Sequence, residues 1–426
     1  MIEDLPDVPP AVLLLVAEAA QSKDWTSARK RIKAILKDLR DQSEAYQASG
    51  LARQTANSKP LEFDIHLHGG LNLFDRRGAC MDLHCRLHTA DKLARSMGLI
   101  ADRIWITDYL TEKFIDFGRA TNEKLDAIVA DVMVLVRLWP LIAAGILRFR
   151  SPWVMSCEGC LSHFENSIRL ASREVATKFA NEIKITTSPD GGYTAETGNC
   201  FEPPLWLHSL EGATKHPTSQ HLAEEIIYEQ VRSALWVGRE AAMFGGSIFS
   251  NSRVGLAGLL QQEGRFGSKK QLTLLDDERA IQVPWVSELD AAQIIELRQE
   301  ASLALPLFRE KMAKALSINE SSEPNATTSA EFVQELREQA AEVRSELEAT
   351  KKNSARFWKT SYGLLGLGLS AYGVATDQIL PGVGGLLPLI NLLINHTTGH
   401  EKEITKLTYR PSYVLVKAQD ILGHAH

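Results

Sequence analysis

The sequence predicts a mainly α-helical, multi-domain protein with small α/β and β-hairpin elements, a C-terminal long helix and an apolar helical hairpin. Three observations predict it. Apolar residues recur at three- and four-residue spacing through most of the chain. One stretch, from "LEFDIHLH" through "LHTADKLARSMGLI" to "DRIWITDYL", reads strand, helix, strand, the order of an α/β unit. Two β-prone runs in "NEIKITTSPDGGYTAE" flank a Ser-Pro-Asp-Gly-Gly turn, which is the pattern of a hairpin.

A chain of 426 residues exceeds one ordinary core and favours two or three domains. The expected organisation is N-terminal helices over 1–60, a mixed, mostly helical body over 61–316 and a linker over 317–330. A charged amphipathic or coiled-coil helix over 331–359, a glycine-rich apolar hairpin over 360–399 and a tail over 400–426 follow. At 44% hydrophobic and 23% charged residues the composition is that of a globular protein. A formal charge of −6 gives no basic surface for nucleic acid, so DNA and RNA are discounted as partners. The apolar run at 11–16 follows Glu3, Asp4 and Asp7 with no basic region, unlike a signal peptide. Five cysteines, an odd number, fit reduced thiols, and a cytoplasmic location with peripheral or conditional membrane association is expected.

Taken in order, residues 11–49 place Ile32, Ile35, Leu36 and Leu39 at helical spacing, reading as two helices, and Pro60 closes the segment. After the α/β unit, "TNEKLDAIVADVMVLVRLWPLIAAGIL" is apolar nearly all round. Leu125, Ile128, Val132, Leu135, Val136 and Trp139 mark it as a core helix, which Asp131 and Arg137 keep from being a membrane span and Pro140 should kink or interrupt. Helices follow in "CEGCLSHFENSIRLASREVATKFA", "QHLAEEIIYEQVRSALWVGREAAMFG" and "SELDAAQIIELRQEASLALPLFREKMAKAL", the last with Ser287 and Asp290 as its capping box. "SINESSEPNATTSA" is polar and turn-rich, hence the linker. Beyond it, Thr328 and Glu331 form another capping pattern. Phe332, Leu336, Ala340, Val343 and Leu347 then make an apolar seam, so self-association through 331–353 is expected.

Residues 360–376 carry no formal charge, and after Asp377 the uncharged run resumes. Seventeen helical residues rise roughly 25 Å, against a hydrocarbon core of about 30 Å. Gly363, Gly366 and Gly368, then Pro381, Gly382, Gly384 and Gly385, are unfavourable in an ordinary helix but allow close packing in lipid. Lys351, Lys352, Arg356 and Lys359 precede the run, where basic residues favour an anionic membrane surface. The two readings are a membrane-engaging hairpin and a buried one.

The chemistry-bearing residues cluster early. Four of the twelve histidines fall within 23 residues. His66 and His68 alternate on a strand and His84 and His88 stand four apart on a helix, so each pair shares a face suited to a metal. The string "DIHLHGG" resembles the first-strand metal motif of amidohydrolases, and "DLHCRLHTADKLARSMGLIADRIWITDY" resembles the opening of PHP-type phosphoesterases, together over about 50 residues. That resemblance implies a metal-activated water held by His66, His68, His84 or His88, with Asp64 or Asp108 as carboxylates. The later histidines at 163, 208, 216 and 221 do not follow the repeating strand-helix pattern such barrels need. "CEGCLSH" sets Cys157, Cys160 and His163 at zinc-ligand spacing; the same CxxC reads equally as a redox pair or as small residues at a helix start. No phosphate-binding loop, nucleophile elbow or kinase signature is present.

The leading expectation is a non-enzymatic sensing or interaction protein whose C-terminal region oligomerises and engages a membrane, in the manner of an effector or toxin. The alternatives are a metal-dependent hydrolase built on the histidines, and a soluble scaffold stabilised by zinc.

Overall fold

A computed structural model describes residues 5, 8–49, 63–75, 80–151, 157–187, 193–198, 206–208, 218–262, 272–274, 286–316, 334–335, 338–347 and 406–424. The protein is mostly helical with a small parallel sheet and a small antiparallel hairpin sheet, as the periodicities predict. The linker over 317–330, the Thr328/Glu331 cap and the residues Gly363, Gly366, Gly368, Asp377, Pro381, Gly382, Gly384 and Gly385 nominated for the hairpin lie outside the described residues. No helix among the described residues is long and apolar enough to cross a membrane.

The amino-terminal segment forms three helices, α1 (Pro10–Ala20), α2 (Trp25–Ala34) and α3 (Leu36–Ser49), where the spacing predicts two. The extra break falls at Ile35, which leaves the helical conformation between α2 and α3; α2 itself starts at a reciprocal cap, the Asp24 side chain accepting from Ser27 N–H at 2.7 Å and the Ser27 hydroxyl from the backbone of Asp24.

Next come β1 (Asp64–His68), α4 (Leu83–Ile100) and β2 (Arg103–Thr107), in the expected order. Asp108 caps the short α5 (Tyr109–Ile115), and Thr121 caps α6 (Asn122–Ala143). Helix α6 runs through Pro140 to Ala143, so the proline does not interrupt it. It buries Leu125, Ile128, Val132 and Leu135, but Val136 is 43% exposed, so the helix has a solvent face. Strand β3 (Leu147–Arg150) follows, then α7 (Glu158–Phe179) and the hairpin strands β4 (Lys184–Thr187) and β5 (Tyr193–Glu196), paired antiparallel. A third strand, β6 (Trp206–His208), adds to β5. Helix α8 (Ser219–Phe244), β7 (Ser247–Ser250), α9 (Arg253–Leu260) and β8 (Leu272–Leu274) complete the α/β region. Helices α10 (Ala291–Glu300), α11 (Leu305–Leu316) and α12 (Tyr413–His424) follow. The α10 capping box is Asp290 with Gln293 rather than Ser287 with Asp290, since Asp290 is the residue that stands extended just ahead of the helix.

The parallel sheet has the order β3-β2-β1-β7-β8, all neighbours parallel. From β1 the chain winds outward through β2 and β3, then returns to the other side of β1 for β7 and β8, which makes the sheet doubly wound. It is an open sheet, unlike the closed barrel that the amidohydrolase resemblance implies.

The two faces differ in character. Ile65, Leu67, Ile104, Ile106, Leu147, Phe149 and Phe249 point one way into a large core shared with α1, α4 and α6. The alternate residues Asp64, His66, His68, Arg103, Trp105, Thr107, Arg150 and Ser250 point the other way and are also buried, under α8. A second core of α7, α8 and α9 lies on that side, reaching the sheet at Ile248.

The helical stretch 338–347 and α12 belong to the first core. Ala340, Val343 and Leu347 pack in the same cluster as Leu407, Val414, Leu415 and Ile421. Arg344 pairs with Asp420 at 3.2 Å and Arg410 with Glu346 at 3.1 Å. Over 338–347 the seam read as a self-association surface is therefore filled by the protein's own chain.

Candidate functional site

Strand β1 carries three polar side chains on one face, and each has a partner. Asp64 receives Arg103 Nε at 2.6 Å and a second bond from Nη2, a bidentate pair joining the adjacent strands at their amino ends. The side chain nominated as a catalytic acid thus neutralises a buried arginine, about four residues or roughly 13 Å from the carboxyl edge of the sheet.

His66 accepts from Arg150 Nη1 at 2.5 Å through Nδ1 and donates to the Gly245 carbonyl at 2.9 Å through Nε2. With both ring nitrogens committed, His66 has no lone pair for a metal. Burial, and then the Arg150 charge beside it, hold its pKa well below 6.5. Arg150 also meets Glu240 of α8 at 3.3 Å and stacks on Trp105 and Phe244, with centroid distances of 4.7 and 4.9 Å. His66, Arg150 and Glu240 form one buried network between sheet and helix.

His68 lies at the carboxyl end of β1, its Nδ1 2.8 Å from Ser250 Oγ on β7. Ser250 Oγ also accepts from Ser252 N–H at 2.9 Å, which joins His68 to the turn after β7. Burial lowers the His68 pKa to about 4, and the imidazole is neutral near pH 7. The backbone crosses closely here: a Cβ on Gly255 would stand 2.3 Å from His68 Cε1, and one on Gly69, at φ +71°, 2.6 Å from Asn251 Oδ1. Asn251 Oδ1 in turn accepts from Gly70 N–H at 2.8 Å, which ties the ends of β1 and β7 together.

His84 and His88 are exposed on α4, apart from the buried pair. His163 is exposed on α7 with Cys157 and Cys160. Among the described residues no three or more His, Cys, Asp or Glu are grouped to hold a metal ion, so neither the histidine quartet nor the Cys157, Cys160, His163 set converges. Asp108, at the end of β2, is buried and accepts from Thr111 N–H at 3.0 Å and from the Thr111 hydroxyl at 2.5 Å. Its pKa rises to about 6 because burial outweighs those bonds. It serves as a helix cap.

What the carboxyl edge does offer is a cavity of about 750 Å³. Phe74 and Asp75 beyond β1, Thr107 at the end of β2, Tyr109, Glu112, Lys113, Asp116 and Phe117 around α5, Lys124 and Asp131 of α6, Leu161 of α7, and Glu229, Gln230, Arg232, Trp236 and Glu240 of α8 line it. In an open doubly wound sheet, the crevice outside the carboxyl ends of the strands is where ligands bind. Six carboxylates face three cations in this wall, and four aromatic rings stand among them. Asp131 is held by Arg86 at 2.7 Å and by Lys113, and Glu240 by Arg150. Sequence reading passed over most of these residues. The available signals were Asp131 inside the mostly apolar α6 and the Arg148-Phe149-Arg150 alternation of β3.

No protein family, curated protein or solved structure matches the chain.

Proposed function

We propose that the chain is a ligand-sensing module whose body takes a small amine-bearing molecule into the cavity at the carboxyl edge of the parallel sheet. The composition of the cavity wall carries this reading. Asp131 and Glu240 are paired with Arg86, Lys113 and Arg150; of the other lining charges Asp75, Glu112, Asp116 and Glu229 outnumber Lys124 and Arg232 four to two, and Phe74, Tyr109, Phe117 and Trp236 supply ring faces. Low-dielectric walls strengthen the pull of the acids on a cation, and aromatic faces add to it. The same acids oppose a polyphosphate. Calorimetric titration of the full chain with spermidine and with ATP tests the proposal. Saturable spermidine binding, weakened about tenfold or more in Asp116→Asn/Glu229→Gln, is the expected result, equivalent to about 1.4 kcal/mol. Tighter binding of ATP, or no saturable binding of the amine, would refute it.

A second reading concerns output. We infer that the uncharged stretches within 360–399 engage a membrane surface. Support comes from their attachment: Glu346 pairs with Arg410, and Arg344 with Asp420, so the chain departs and returns at neighbouring points of the body, as a hairpin insertion requires. Flotation of the full chain with anionic liposomes, compared with a deletion of 360–399, tests it. Equal recovery of both proteins in the soluble fraction rejects the reading.

A further inference from the structure

We propose that Cys157 and Cys160 form a thiol–disulfide exchange site for low-molecular-weight disulfides at the start of α7. The inference stands on the local geometry of the pair and is independent of any ligand in the cavity. Cys157 is the cap residue of a 22-residue helix, in extended backbone at φ −67° and ψ 154°. That conformation turns its Sγ back over the first turn, where it accepts from the backbone N–H of Cys160 at 3.3 Å and from the Cys160 thiol. Both cysteines are exposed, open to a reactant from solvent. Because His163 does not join them in a metal-binding group, the pair is left as a dithiol among the described residues.

The two thiols are unequal. The Cys160 thiol and backbone N–H donate to Cys157 and lower its pKa, whereas Cys160, which holds the proton beside that sulfur, is raised. Cys157 is then the attacking thiolate and Cys160 the resolving thiol. In the first step the Cys157 thiolate attacks one sulfur of a disulfide such as glutathione disulfide. The S–S bond breaks, one glutathione leaves as thiolate and takes a proton from water, and a mixed disulfide remains on Cys157. Forming it removes the negative charge that held the Cys160 proton. Cys160 loses that proton to water and attacks the Cys157 sulfur, expelling the second glutathione thiolate. Two protein thiols are oxidised to one disulfide and one small disulfide is reduced to two thiols. The Cys80/Cys85 pair supplies an internal contrast: Cys85 is half-buried, and burial followed by the neighbouring Cys80 pushes its thiol up to about 11.

The test uses the reduced full chain. Glutathione disulfide is added, samples are quenched in acid, and the tryptic peptide spanning 151–169 is mapped by mass. The expected product is a Cys157–Cys160 disulfide, lighter by two hydrogens. Cys160→Ser should accumulate glutathione on Cys157, and iodoacetamide at neutral pH should alkylate Cys157 at least about tenfold faster than Cys85. Equal alkylation of Cys85, absence of glutathione on Cys157 in Cys160→Ser, or a disulfide joining Cys157 to a different cysteine would overturn the proposal.

Discussion

Replacing Asp108 by Asn should stabilise the protein at pH 8 and destabilise it at pH 4. The Asp108 carboxyl is buried at the end of β2, and its pKa rises from 3.8 to about 6. A raised acid favours the folded state in its neutral form. Its contribution is therefore complete below pH 3.8, falls away as the pH climbs towards about 6, and stays lost above that. At about 1.4 kcal/mol per pH unit, the loss is about 3 kcal/mol. Asparagine does not ionise, so the variant avoids it. Asn caps a helix nearly as well as Asp, but the bonds from Thr111 N–H and hydroxyl to the carboxyl weaken, which costs about 1 kcal/mol. The variant should gain about 2 kcal/mol at pH 8 and lose about 0.5 kcal/mol at pH 4, the two proteins crossing near pH 4.5. Paired thermal melts at one scan rate from pH 4 to 8 read this as a change of several degrees in the Tm gap. A gap that is constant with pH, or that grows as pH falls, would refute the placement of Asp108 as a desolvated carboxyl.

Other consequences are equally direct. Glu240→Gln leaves Arg150 charged and buried without its carboxylate, and urea unfolding should show a loss of about 3 kcal/mol, tempered by the stacking on Trp105 and Phe244. Gly246→Ala places a Cβ 2.7 Å from the Asp64 carbonyl and 2.9 Å from the His66 ring, at φ +120°; unfolding should occur at lower urea, by about 3 kcal/mol. His68, with its pKa lowered from 6.5 to about 4, contributes stability that is complete above 6.5 and lost as pH falls towards 4. His68→Gln should therefore melt with a shallower dependence on pH over that interval, whatever its absolute Tm.

Helices and the first α/β unit are legible in the sequence because their signals are local: a period in α6, a strand ending at a turn. The rest of the sheet is not. Strands β3, β7 and β8 span three or four residues each, too short for an alternation to be distinguished from the end of a helix. Their identity comes from pairing, β3 with β2, β7 with β1 from more than a hundred residues away, and β8 with β7. Missing them hid the doubly wound order, and with it the carboxyl-edge cavity. The histidines misdirect for a related reason. A strand buried on both faces reads as apolar in an ordinary parallel sheet, so polar residues in β1 look functional. Here His66 is satisfied by Arg150 and Gly245, groups 84 and 179 residues distant, which no local spacing reveals.

The first core joins Val12 and Leu15 of α1 to Val414, Leu415 and Ile421 of α12. During synthesis this core cannot close until residue 421 has left the ribosome, whereas the uncharged residues of 360–399 emerge earlier. For that interval the apolar stretches are presented from a body still lacking α12, while the segment ahead of them has no Asp420 or Arg410 to meet. The order of synthesis thus leaves the apolar stretches to face chaperones, membranes or other chains until residues 406–424 tie the ends.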